Sequence, residues 1–271
     1  MVKKFKFKLG FIGSGNMASA IALRLLGEGA IATDSLLMCD TSKEKLSVYS
    51  ALGVATTNNC ESVAENCATV FLAVKPQALK EVIEVIKPKL NCEILISMLA
   101  GVKISTIKAQ LGDISPDIIR IMPNLACRFG NGMVLVNFGE VGVINSKTAL
   151  QYLQPLGKCE EINEKRFNSG TAISGCGPAF FYTIFQAMIN AAIDLGFDRE
   201  TATKLVLQTA FGAATMAESS KEKMDVLIDR VCSKGGATIE GVNILNVCGI
   251  DEIINNAMNA SKHRCDELET L

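Results

Sequence analysis

The chain of 271 residues has no excess charge, a single histidine, no long uninterrupted apolar run and no paired-cysteine motif. Lys and Arg number 27 against 28 Asp and Glu, a formal net charge of −1, so no long-range field draws it to nucleic acid or to an anionic membrane surface. The apolar run Ile94-Leu95-Ile96-Ser97-Met98-Leu99 stops well short of the roughly 20 residues that cross a bilayer. Behind the basic stretch Met1–Lys8, the residues Gly10, Gly13, Ser14 and Gly15 interrupt any apolar signal region. Ten cysteines are present, but no two have CxxC spacing and none pairs with a histidine at metal-ligand spacing. The expectation is reduced core thiols, no metal, and a cytoplasmic protein without nucleic-acid or membrane partners. The lone His263 lies in an amphipathic stretch near the C-terminus, a surface or interface position, which argues against histidine-centred acid–base catalysis. No internal repeat or low-complexity segment is present.

Two textures divide what remains. Up to about Asn163, short runs rich in Val, Ile and Leu alternate with helical stretches. The runs Lys8–Gly13, Ser35–Asp40, Thr69–Val74, Glu93–Leu99 and Asp117–Pro123, with weaker ones at Met133–Phe138 and Cys159–Asn163, read as strands buried on both faces. Asn16–Glu28, Ser42–Leu52, Pro76–Lys87 and Ile104–Leu111 read as helices between them. That order predicts an α/β, Rossmann-like, doubly wound and mostly parallel sheet over residues 1–163. From Glu164 to the end the pattern is all-α, with helices at Pro178–Gly196, Asp198–Glu218, Met224–Val231, Thr238–Asn246 and Asp251–Leu268. The Pro178 helix is apolar over more than one stripe (Phe180, Phe181, Ile184, Phe185, Met188, Leu195), which fits either the centre of a bundle or a dimer interface.

The segment Leu9-Gly10-Phe11-Ile12-Gly13-Ser14-Gly15-Asn16-Met17-Ala18 is a strand running through GxGxxA into a helix. Gly13 permits the tight turn, Gly15 lets a pyrophosphate approach the backbone, and Ala18 lets helix and strand pack closely. The N–H groups at the helix start, from Asn16 and Met17, then face the phosphates. Asp40 ends the second strand, where a carboxylate can accept from the adenosine ribose 2′-hydroxyl and repel a 2′-phosphate. Thr41, Ser42 and Lys43 follow it and could instead hold that phosphate, so NADH and NADPH both stay open, with Asp40 favouring NADH.

The carboxy-terminal half contains Thr171-Ala-Ile-Ser174-Gly175-Cys-Gly177-Pro178-Ala-Phe, Gln208-Thr-Ala-Phe-Gly212-Ala-Ala and Val231-Cys-Ser233-Lys-Gly235-Gly236-Ala-Thr238. With the glycine-rich turn, Leu72-Ala73-Val74-Lys75-Pro76-Gln77, Arg120-Ile-Met122-Pro123-Asn124 and the ending Asn259–Leu268, these motifs resemble the pyrroline-5-carboxylate reductase family over nearly the whole chain. The chain departs from the family pattern at Cys176, Phe180, Gln186 and Lys234, the last standing where the family commonly has proline.

The resemblance implies hydride transfer from NADPH or NADH to the cyclic imine 1-pyrroline-5-carboxylate, giving L-proline. It assigns Ala73, Val74, Lys75, Pro76, Met122, Pro123 and Asn124 to the nicotinamide half of the cofactor, beside Gly13, Gly15, Asn16, Met17, Asp40 and Thr41. Ser174 is placed toward nicotinamide and substrate. Ser233, Gly235, Gly236, Ala237 and Thr238 are implied to bind the substrate carboxylate, with the Thr238 hydroxyl near the ring nitrogen as the catalytic contact. Thr238 also reads as a cap of its own helix. A homodimer through the helical domain is implied, with further association of dimers left open. Two alternatives stand beside this reading: a reductase of another imine or of a 2-oxo acid, and a cofactor-binding protein without catalysis.

Overall fold

The computed structural model describes residues 4–114 and 116–269. They form two compact units, one made of residues up to Cys176 together with Ser261 onward, the other of Gly177–Ala260.

The first unit is built on eight strands: β1 (Phe7–Ile12), β2 (Leu36–Cys39), β3 (Ala55–Thr57), β4 (Cys67–Leu72), β5 (Ile94–Ser97), β6 (Asp117–Met122), β7 (Gly132–Asn137) and β8 (Gly157–Glu161). Their order across the sheet is β3-β2-β1-β4-β5-β6-β7-β8, parallel throughout except where β7 runs antiparallel to β6. The helices of this unit are α1 (Asn16–Gly27), α2 (Lys43–Ala51), α3 (Cys60–Asn66), α4 (Leu79–Ile86), α5 (Ile104–Leu111), α6 (Val143–Leu153) and α7 (Phe167–Gly170). Alternate residues of each strand feed two cores. Leu9, Phe11, Met38, Phe71 and Ile119 pack with α1, α2 and α6 on one face, while Ile12, Leu37, Val70, Leu95 and Ile118 pack with α3, α4 and α5 on the other. The rings of Phe11 and Phe71 stack across β1 and β4 with centroids 4.6 Å apart. Gly10 is required on the second face, because a Cβ there would lie 2.5 Å from Cys67 Sγ and 2.6 Å from Val63 of α3.

The strands expected from apolar runs are all present, each shifted or trimmed by a residue or two. β3 went unmarked because Ala55-Thr56-Thr57 carries no apolar run, and α3 because it is only seven residues long. The Pro76–Lys87 stretch divides into a 3₁₀ turn, Pro76–Ala78, followed by α4. The ten cysteines are free, but not all are core residues: Cys248 is exposed and Cys60, Cys159, Cys176 and Cys232 are half-buried. Burial holds the Cys39 and Cys67 thiols near pKa 12 and Cys127 near 11, so these remain protonated.

Among the described residues, one charged side chain sits inside this unit. Arg120 on β6 is fully buried; its Nη1 donates to Glu164 Oε1 at 3.1 Å and lies 3.8 Å from Glu269 Oε1. The guanidinium also stands over the Phe167 ring, 4.4 Å from its centroid. Burial pulls the Arg120 pKa down, and Glu164 and then Glu269 push it back. Glu164 Oε1 accepts from the Ile104 N–H at the start of α5 as well. Thus residues beyond the sheet's last strand belong to the first unit, and so does the tail of the last helix, where Asn168 donates to Asp266 and Lys103 pairs with Glu269. The texture changes at Glu164, whereas the compact unit closes at Cys176 because Phe167, Asn168, Thr171 and Ala172 are buried in it.

The second unit is helical: α8 (Gly177–Asp194), α9 (Arg199–Ser219), α10 (Met224–Val231), α11 (Ala237–Val247) and the first part of α12 (Ile250–Leu268). Gly196, at φ +97°, ends α8, and the Asp198 side chain accepts from Thr201 N–H to cap α9. Ile189, Ala202 and Val206 make its small core. Much more apolar surface faces outward, including Phe181, Phe211, Met216, Ile244 and Val247. The helical run 164–194 is also long and apolar enough, by composition, to cross a membrane. Thr183, Gln186 and Asn190 interrupt it, which is why no unbroken apolar run marked it in the sequence.

Replacing Arg120 by Met should destabilise the protein by about 3–5 kcal/mol, because the largely covered Glu164 loses this counter-charge, while Glu269 retains Lys103. Equilibrium denaturation checks this, and a loss below about 1 kcal/mol would show the ion cluster to be dispensable.

Candidate functional site

In the sheet order, β1 lies between β2 and β4, which is the point where the winding reverses and where an open α/β sheet opens its ligand crevice. Gly13 stands at this point with φ +99°. Its N–H donates to Cys39 O at 2.8 Å, and Ala73 N–H donates to Ile12 O at 2.9 Å, joining the ends of three strands. A Cβ on Gly13 would approach Ala73 O to 2.5 Å, so both conformation and space demand glycine there. Gly15 differs: its φ is −64°, and a Cβ would meet nothing within 4 Å. The space before the start of α1 is therefore open, and Gly15 caps the helix with no side-chain acceptor. The N–H groups of the first turn, at Asn16 and Met17, are left for an anion, so these residues fit a dinucleotide pyrophosphate. Ala18 is buried against the strand, as the GxGxxA pattern predicts.

Asp40 follows β2 and turns toward this loop. Its Oδ2 accepts from Ser14 N–H at 2.8 Å and from Ser14 Oγ at 2.9 Å, while Oδ1 accepts from Ser42 N–H at 2.9 Å. Burial pushes the carboxyl pKa up, but the bonds from Ser42 and Ser14, with Lys45 nearby, hold it below the ordinary carboxylate range. The position between the two glycines carries no residue-type signal, so the role of Ser14 is visible only in the structure. Thr41 is exposed beside Asp40.

Further along the same sheet edge, Ala73–Pro76 leave β4, with the exposed Lys75 capping the 3₁₀ turn, and Met122–Asn124 leave β6. Asn124 Nδ2 donates to Ser174 O at 3.0 Å and Asn124 Oδ1 accepts from Ala126 N–H. A Cβ on Gly175 would lie 3.6 Å from Met122 Cγ. Ser174 and Gly175 sit in a π-helical turn, Thr171–Gly175, with Ser174 Oγ donating to Gly170 O at 3.1 Å. Such turns often occur where a helix serves a ligand. The structure thus brings Met122, Asn124, Ser174 and Gly175 together within the first unit.

In the second unit, Ser233–Gly236 is a tight turn in which Gly236 N–H donates to Ser233 O at 2.9 Å. Gly235 has φ +71°, and a Cβ on Gly236 would come within 2.3 Å of Ser233 Oγ. Gly236, not Thr238, is the N-cap of α11, so the reading of Thr238 as a cap is corrected: it is the second helical residue, past the capping position. Thr238 is exposed and borders an apolar groove of about 370 Å³ with Met216, Met224, Leu227 and Val231. Lys234 is also exposed at the turn. His263 lies out on α12, 77% exposed, with Nε2 at 3.4 Å from Glu267.

Sheet order, switch-point turn and the open start of α1 define a Rossmann-type fold with a candidate dinucleotide site, followed by a helical unit. A model described as "NADP oxidoreductase coenzyme F420-dependent" matches residues 8–101, and one described as "Pyrroline-5-carboxylate reductase dimerisation" matches residues 164–268. The chain belongs to the pyrroline-5-carboxylate reductase family. A pyrroline-5-carboxylate reductase of Haemophilus influenzae is 34% identical over 267 residues, covering 97% of this chain and 98% of the relative. Pyrroline-5-carboxylate reductase 3 of Xenopus laevis is 32% identical over 96% of this chain and 95% of its own length. Among solved structures, a Plasmodium falciparum pyrroline carboxylate reductase with NADP bound is 30% identical with a TM-score of 0.90, covering 98% of this chain and all of that one. A pyrroline-5-carboxylate reductase of Coxiella burnetii is 31% identical with a TM-score of 0.88 over 97% and 98% of the two chains.

The two glycines of the turn should respond differently to alanine. Gly13→Ala should lose about 1–3 kcal/mol of stability through strain and collision with Ala73. Gly15→Ala should unfold within about 0.5 kcal/mol of wild type yet bind reduced nicotinamide dinucleotide about tenfold more weakly. Thermal unfolding and cofactor fluorescence titration measure both; unchanged binding by Gly15→Ala would place the pyrophosphate elsewhere.

Proposed function

We propose that the chain reduces 1-pyrroline-5-carboxylate to L-proline, with NADH or NADPH as the hydride donor. Membership of the family over nearly the full length, with the Ser233–Thr238 turn at the start of α11 departing from the family pattern only at Lys234, carries this reading. The bound dinucleotide supplies the hydride; the protein aligns the imine and holds its carboxylate.

Gly13, Gly15, Asn16 and Met17 hold the pyrophosphate, Asp40 and Thr41 border the adenosine ribose, and Ala73–Pro76 with Met122–Asn124 and Ser174 border the nicotinamide. The N–H groups of Ala237 and Thr238 in the first turn of α11, within the turn made by Ser233, Gly235 and Gly236, hold the carboxylate. Gly235 and Gly236 give the curled backbone that a concave anion site needs. The Thr238 hydroxyl hydrogen-bonds the ring nitrogen. A chain whose one histidine stands exposed on α12 does this chemistry by positioning an electrophilic imine. The apolar surface of α8–α11 is the seat of a homodimer in the cytoplasm.

Loss of nicotinamide absorbance on adding pyrroline-5-carboxylate tests the reaction; turnover of a 2-oxo acid instead would favour the wider reductase group, and cofactor binding without turnover a non-catalytic role. Thr238→Ala should lower kcat/KM about ten- to a hundredfold with unchanged cofactor affinity, the value of one hydrogen bond to a charged group. Wild-type turnover would remove Thr238 from the site. Light scattering at micromolar concentration should return at least twice the chain mass of 29.0 kDa; a monomer would refute the dimer.

A further inference from the structure

The carboxylate of Asp40 has two oxygens and about four acceptor positions. Three are filled from within the chain: Ser14 N–H, Ser14 Oγ–H and Ser42 N–H, at 2.8, 2.9 and 2.9 Å. Lys45 Nζ stands 3.7 Å from Oδ2. The Asp40 side chain is only 10% exposed and Ser14 only 5%. Turning this carboxylate outward to take ribose hydroxyls would strand a covered Ser14 N–H and hydroxyl, a larger loss than the bonds gained. Its charge is already met by three donors, by Lys45 and by the start of α2, whose N-cap is Ser42. A 2′-phosphate would therefore face a compensated carboxylate, not a bare one.

We infer that Asp40 is a positioning residue of the cofactor turn, fixing Ser14 between Gly13 and Gly15 so that the start of α1 faces the pyrophosphate. It serves NADH and NADPH alike and does not choose between them. This rests on the reading of the turn as the dinucleotide site.

The test compares wild type, Asp40→Asn and Ser14→Ala by fluorescence titration with NADH and with NADPH, and by steady-state kinetics. Asp40→Asn replaces an acceptor with a donor facing Ser14 or Ser42, so both dissociation constants should rise about tenfold and their ratio stay within about threefold. Ser14→Ala keeps the backbone bond and should raise both about threefold, again without changing the ratio. KM for each cofactor should follow these rises while kcat at saturation stays at the wild-type value, a split that mere loss of folded protein would not produce. If Asp40→Asn weakens NADH and tightens NADPH, the acid reads the ribose and the inference is overturned. It is equally overturned if both variants bind like wild type. If wild-type protein binds neither cofactor, the reading of the turn itself fails, which the wild-type titration reveals before any variant is compared.

Discussion

A guanidinium removed from water needs partners, and the partners of Arg120 reach it from distant parts of the chain. Glu164 comes from the segment after β8, Phe167 from α7 and Glu269 from beyond α12. Nε and Nη2 of Arg120 have no hydrogen-bond partner among the described residues, so the charge is held by one short bond, a longer-range pair and an aromatic face. A cluster of this kind gains little net energy over an apolar one of the same volume. Its contribution is to specify which segments meet. It fixes the end of β6, and hence Met122–Asn124, against the π-helical turn bearing Ser174.

The glycine-rich turn is held by a second device of the same type on the other side of the switch point. There a carboxylate gathers backbone and hydroxyl donors from two successive loops, so that β1 and β2 end in register. Between the two devices run main-chain bonds, such as Ala73 to Ile12, and the Phe11–Phe71 stack. Polar side chains thus set the strand-end loops, while apolar ones set the layers beneath them.

Much of this was legible in the sequence. The strand positions followed from apolar runs, and the turn from three small residues in a βαβ context. The family motifs drew attention to the Ser233–Thr238 turn, which the structure places at the start of α11. What stayed hidden has physical reasons. β3 is held by pairing to β2 rather than by apolar content, so Ala55-Thr56-Thr57 leaves no trace in periodicity. Ser14 looks like any loop serine until its bonds to Asp40 are seen. An arginine inside the apolar strand Asp117–Met122 was a visible signal of a buried ion pair, but its partners lie 44 and 149 positions away in sequence, beyond any local pattern. The extent of the first unit was hidden for the same reason, since its final pieces return from the end of the last helix.

That return has a consequence for synthesis. Residues 177–260 leave the ribosome before Ser261–Glu269, so the sheet unit waits for its last piece while a largely apolar helical stretch is already made. During that interval Glu269 has not yet reached Arg120. The order of synthesis therefore separates the sheet from the segment that completes its unit by a whole helical unit, and the contacts that close it are among the most distant in the chain.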